Sequence, residues 1–212
     1  MKLRILAFFI ATCAMVFTGL PQQPPTAIAV DDPLVNKLLT SGAATSSLHA
    51  DLTQEKHLRF MKDPLISAGT FSYERPGRLR WQVDGEGALT ILMNGSNVRV
   101  KEKGHEIAVT GVERKMYSAI TELVNGIVTG DLLKSQRVKA SYFTQGDDLI
   151  VLLLPVDPRM TKHFKEVKMN FNKMSLLLDV LRITEADGDL TEWRFTNTQR
   201  DVVLPVTTFT SF

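Results

Sequence analysis

Cysteine is all but missing: Cys13 is the only one in 212 residues, and it lies in an apolar run near the N-terminus. A mature chain cut beyond it has no thiol, which excludes a disulfide, a thiolate metal site and a cysteine nucleophile. Histidine is nearly as scarce. His49, His57, His105 and His163 are scattered and lack ligand spacing such as H-x-x-x-H. Neither charge sign is in excess: 25 basic and 23 acidic residues give a formal net charge of +2, spread along the chain. Such a balance draws in no nucleic acid. There is no G-x-S-x-G and no glycine-rich phosphate loop. Asp147-Asp148 and Asp187-x-Asp189 fall in turns, where aspartate serves the backbone. The expectation is a protein that is not an enzyme, with no catalytic residue, no metal and no cofactor.

What is present begins with Lys2 and Arg4, followed by an uncharged and largely apolar stretch from Ile5 to Leu20. That pattern is a signal peptide. Ala27-Ile28-Ala29 offers small residues at −3 and −1, which assigns residues 1–29 to the leader and 30–212 to the exported chain, with the periplasm as destination. An uncleaved anchor is the alternative, because about 16 apolar residues almost span a bilayer. Ile10-Ala11-Thr12-Cys13 is a poor lipidation box, with Thr12 where a smaller residue is usual. At 44% hydrophobic residues, the remaining chain suits one domain with a sizeable core, expected as a monomer.

Two hydrophobic periods alternate along it. Leu34, Val35, Leu38 and Leu39 share a helical face behind Asp32 and Pro33, which predicts a short helix from Pro33 to Ser41, stopped at Gly42. From Leu48 the period is two. Strands are predicted at Leu48–Thr53, Gly69–Tyr73, Leu79–Val83, Leu89–Met93, Val98–Val100, His105–Val109, Val138–Phe143, Leu149–Leu154, Val167–Phe171, Leu176–Ile183 and Thr191–Phe195. Leu149–Leu154 is a continuous apolar run expected to be buried on both faces. Asn94-Gly95 is a hairpin turn. About ten antiparallel strands must curl into a half-barrel or barrel. A second helix is predicted from Glu113 to Leu133, where Met116, Ala119, Ile120, Leu123, Val124, Ile127 and Val128 recur at helical spacing, weakened by Gly126 and Gly130.

The concave face of such a sheet would carry Phe71, Tyr73, Leu79, Trp81, Leu89, Ile91 and Met93, an apolar area too large to leave bare. The two helices are the available covers. They either complete an ordinary core or close over a guest. A membrane-surface role without a cavity would need an exposed basic amphipathic helix, and the middle of Glu113–Leu133 is nearly uncharged.

Leu52-Thr53-Gln54, followed by Gly69-Thr70-Phe71-Ser72-Tyr73-Glu74-Arg75-Pro76-Gly77-Arg78-Leu79-Arg80-Trp81, resembles the periplasmic outer-membrane lipoprotein carrier (LolA-like) family. An early strand ending in Thr-Gln is followed by a Gly-led strand, an Arg-Pro pair, an apolar residue and a Trp. Asn94-Gly95 with Val98 is similar to the family's hairpin, and Thr207-Thr208-Phe209 to its last strands. The resemblance implies a mainly β fold with a helical lid: a curved antiparallel sheet forming an unclosed half-barrel covered by two or three helices. It implies a carrier that takes the acyl chains of a lipoprotein from an inner-membrane releasing complex to an outer-membrane acceptor. It further implies that Arg75 latches the lid by hydrogen bonds to helix carbonyls, with Leu79 and Trp81 at the cavity wall and Met116, Ile120, Leu123 and Ile127 on the lid. Two departures stand out: the chain stops at Phe212 without the family's C-terminal extension, and Arg78 and Arg80 are expected to add positive charge beside the mouth. Another amphiphile, such as a glycolipid or polyketide-like lipid, is an alternative cargo. A non-transport lipid-sensing adaptor on the same scaffold is a third reading.

Overall fold

The computed structural model describes residues 24–95, 97–109, 126, 131, 133 and 136–212. Wherever the sequence alternates with period two, the described chain is a strand. These strands are β1 (Thr26–Ile28), β2 (Ser47–His57), β3 (Leu65–Glu74), β4 (Arg78–Val83), β5 (Leu89–Asn94), β6 (Asn97–Glu102), β7 (His105–Ile107), β8 (Val138–Gln145), β9 (Asp148–Pro155), β10 (Phe164–Asn172), β11 (Leu178–Glu185) and β12 (Leu190–Arg200). They form one antiparallel sheet in the order β1-β8-β9-β10-β11-β12-β2-β3-β4-β5-β6-β7. The sheet is an unclosed half-barrel, and among the described strands β1 and β7 are its outermost.

Cross-strand register makes the inner face continuous. Phe195 opposes Leu52, Phe71 sits between Ala50 and Trp81, and Trp81 between Phe71 and Ile91. On the other half Val151 pairs with Met169, Met169 with Leu181, and Leu181 with Trp193. Gly69 is needed where β3 meets β4: a Cβ there would lie 2.0 Å from the Gln82 carbonyl oxygen. Any side chain would push the strands apart.

A helix, α1 (Pro33–Ala44), lies over the inner face with Val35 and Leu38 buried. Asp32 caps its start by accepting from the Leu34 N–H at 2.8 Å. The helix runs through Gly42, which was expected to stop it. Its end is instead at Thr45, whose N–H returns to the Ser41 and Gly42 carbonyls and whose hydroxyl donates to Ser41 at 2.8 Å. A side-chain and backbone cap thus outweighs glycine's preference for the end.

Four further expectations are corrected. The sheet has twelve described strands rather than about ten, partly because β1 lies in the segment assigned to the leader and pairs with β8. Leu154 is exposed and Leu152 half-buried, so the apolar run of β9 is only partly covered on its outer side. Asn94 pairs with Asn97, so the turn begins at Gly95, whose φ of 62° favours glycine. Thr207-Thr208-Phe209 lies in a 3₁₀ turn (Val206–Phe209) rather than a strand.

That turn packs on the outer face of β4 and β5, with Phe209 2% exposed. Arg80 Nη1 donates to the carbonyls of Thr208 (3.2 Å) and Ser211 (2.7 Å), and Arg99 Nη1 to that of Thr210 (2.8 Å). Arg80 therefore holds the C-terminal segment on the outer face instead of charging the mouth. Arg78, on the same side of β4, pairs with Glu74 at 3.4 Å. Strand alternation decides this: with Leu79, Trp81 and Val83 buried inside, Arg78 and Arg80 point out.

Candidate functional site: a divided apolar cavity beside a latched helix

Trp81 is the centre of an aromatic cluster on the inner face. Its ring meets Phe71 at 5.4 Å, Trp193 at 5.3 Å and Phe195 at 6.2 Å between centroids, all edge to face, and Phe71 meets Phe195 at 5.9 Å. These geometries are the favoured ones for aromatic pairs. The cluster divides the inner face into two cavities. The larger, about 1130 Å³, is lined by Leu79, Trp81, Val83, Leu89, Ile91, Leu181, Ile183 and Trp193, with Lys56, Glu86, Lys103 and Glu185 among its polar residues. The smaller, about 80 Å³, lies under α1 between Leu38, Leu39, Phe71, Trp81, Phe171, Leu178 and Phe195. Trp81 and Leu181 line both.

The residues expected at the cavity wall all come to the inner side, but with different roles. Leu79, Leu89 and Ile91 line the large cavity, Phe71 the small one, and Trp81 both. Tyr73 and Met93 are buried in the core and line neither. Burial holds the Tyr73 hydroxyl above the usual phenol range, with Arg75 pulling it down and Asp131 adding to the rise. Burial raises Tyr142 in the same way. Both stay protonated at neutral pH. Met116, Ile120, Leu123 and Ile127, expected on the lid, lie outside the described residues. From the same predicted helix, Gly126 is helical and buried, and Leu133 lines the small cavity.

Arg75 follows directly on β3 and reaches the end of α1. Its Nε donates to the Thr45 carbonyl at 2.7 Å and its Nη2 to the Gly42 carbonyl at 2.9 Å, while its backbone N–H donates to Ser46 at 2.9 Å. The last carbonyls of a helix have no partner within it, and a planar guanidinium can take more than one of them. Its positive charge also sits at the negative end of the helix dipole. Gly42 and Thr45 themselves line the small cavity. The arginine thus fastens the helix end that roofs it.

Trp193, Phe195, Leu181 and Phe171 were not singled out from the sequence. The alternation of Thr191 to Phe195 carried the signal, but which strand lies beside β2 is a matter of long-range pairing.

The family model of the outer membrane lipoprotein carrier protein matches residues 43–211. The chain belongs to the LolA family. An outer-membrane lipoprotein carrier protein of Dechloromonas aromatica is 23% identical over 167 residues, 78% of this chain and 76% of that one. Among solved structures, a LolA superfamily protein of Nitrosomonas europaea aligns with TM-score 0.40 and 10% identity, covering 82% of this chain and 96% of that one. The MucA/MucB complex of Pseudomonas aeruginosa aligns with TM-score 0.43 and 9% identity, covering 83% and 59%. Among the described residues no helix is long and apolar enough to cross a membrane, and no group of His, Cys, Asp and Glu could hold a metal ion.

Proposed function

We propose that this LolA-family chain is a periplasmic carrier that holds the acyl chains of lipoproteins on the inner face of its half-barrel. It takes them from an inner-membrane releasing complex to an outer-membrane acceptor, and residues 1–29 are the export leader. The observation that carries this reading is the apolar cavity of about 1130 Å³, which shares the Trp81 and Leu181 wall with a smaller cavity roofed by α1. Burial of each methylene contributes about 0.8 kcal/mol. Several buried methylenes therefore supply affinity without any specific contact. Release needs a roof that lifts at modest cost, and hydrogen bonds from one side chain, Arg75, to two helix carbonyls provide it.

The test is native mass spectrometry with lipid extraction on protein purified from its host's periplasm. An acylated protein or lipid at near one-to-one ratio is expected, and the extracted lipid separates a lipoprotein from another amphiphile. A guest-free mass, together with no binding of a fluorescent fatty acid, would reduce the inner face to a plain core and end the carrier reading. Removal of the leader before Val30 would take β1 with it and leave β8 as the sheet edge. N-terminal sequencing of the same preparation checks this directly.

A further inference from the structure

Arg200 is the one charged residue among the described lining of the small, mostly apolar cavity. It opposes Leu48 across β12 and β2, and both line the small cavity. Its Nη2 donates to the carbonyls of Ser175 (3.4 Å) and Leu176 (3.2 Å), in the turn before β11. Its Nε is buried and has no acceptor among the described residues. The neighbouring carboxylate, Asp201, is engaged by the Ser46 N–H (2.8 Å) and hydroxyl (2.7 Å). Thr45, another polar lining residue, gives its hydroxyl to Ser41. A buried, charge-bearing donor without an acceptor is unfavourable, and a bond of 3.4 Å satisfies its neighbour poorly. An oxygen from outside the chain would complete it.

We propose that Arg200 is the polar anchor of the small cavity. Its Nε–H donates to an oxygen of an acyl group, either the carboxylate of a fatty acid or the ester carbonyl of an acylated lipid. The relative volumes agree with this division of labour: the small cavity, about 80 Å³, takes the polar end of the acyl group, and the larger, about 1130 Å³, takes the chain. With the Trp81 and Leu181 side chains that part the two cavities turned aside, the alkyl chain extends into the larger one. This inference rests on the lipid-carrier reading and names the atom that meets the guest's polar end.

The test compares palmitate, methyl palmitate and hexadecane binding to the full exported chain and to Arg200→Gln. The amide can still donate to the turn carbonyls, and thermal melting reports whether the variant is folded. A charge-assisted hydrogen bond predicts that the wild type prefers palmitate over hexadecane by roughly tenfold or more, and that Arg200→Gln removes the preference while hexadecane binding is unchanged. Loss confined to palmitate identifies the carboxylate as the acceptor, and loss for methyl palmitate as well identifies the carbonyl. Equal weakening of all three probes, or an undiminished preference in the variant, overturns the anchor. If the variant does not fold, Arg200→Lys replaces it: the lysine keeps the charge without the Nε fork, and an undiminished preference again overturns the anchor. A wild type that binds all three alike loses the anchor and keeps the carrier, whereas one that binds none loses the carrier reading itself.

Discussion

The inner and outer faces of the sheet are each covered by a segment that arginines hold through backbone carbonyls, and the two covers differ in what lies beneath them. On the outside, Phe209 is packed to 2% exposure, Arg80 and Arg99 supply three hydrogen bonds, and the Arg99 guanidinium lies 4.6 Å from the Phe212 ring centroid. On the inside, α1 buries Val35 and Leu38, is held by Arg75 at its C-terminal end, and roofs a cavity. A cover that plugs the surface it sits on loses apolar burial when it moves. A cover that also bounds a cavity gives up the burial of Val35 and Leu38 along with the bonds at its edge when it moves, and a guest beneath it can restore part of that burial. On the proposed carrier reading, the difference leaves stability to the outer cover and exchange to the inner one.

The largest test of that contrast is Phe209→Ala. Removing a buried phenylalanine costs about 3–5 kcal/mol, read as a fall in the urea midpoint at unchanged slope, and guest affinity of the folded protein should stay as it was. A matching loss of affinity would mean that the outer segment shapes the cavity, and the contrast would fail.

Arg75→Leu is next in size. The variant loses two hydrogen bonds from a charged donor, a net effect of about 2 kcal/mol, and the helix end keeps its Thr45 cap. The sheet should remain intact, with amide exchange in the last turn of α1 accelerated by about 30-fold and release of a fluorescent fatty acid faster than from the wild type. Unchanged release would show that α1 is an ordinary part of the core.

The sheet was legible because alternation survives in most of the strands, the continuous apolar run of β9 being the exception; that Arg75 would meet helix carbonyls was expected only from the family resemblance of the Arg-Pro segment. Other features depended on partners distant in sequence. Trp193 joins the cavity only because β12 pairs with β2, at which point Trp193 comes opposite Gln54 and donates to its side chain at 2.9 Å. The outward role of Arg80 required knowing where residues 208–211 return. Arg200 could not be read at all: the register shift between Thr196 and Gln199, where Asn197 has φ 52°, changes which residues of β12 face inward. A period-two reading carried through that irregularity turns the side chains to the wrong face.

The smallest effect concerns the junction between the two covers. Asp201, just past β12, accepts from the N–H and hydroxyl of Ser46, which connects α1 to β2. Those bonds, with the Ser46 N–H first, hold the Asp201 carboxyl below the usual aspartate range. A carboxylate held low stabilises the fold above its unfolded-state pKa, and the contribution fades as pH falls through the lower folded value. Asp201→Ala should therefore lower the melting temperature slightly at neutral pH, and the gap to the wild type should narrow on acidification. Because Ser46 also receives the Arg75 backbone N–H, the same variant sharpens the comparison. If loosening this junction speeds fatty-acid release as Arg75→Leu does, the hinge of α1 extends to the end of β12; if release is unchanged while the melting gap follows pH as described, the latch is Arg75's side chain alone.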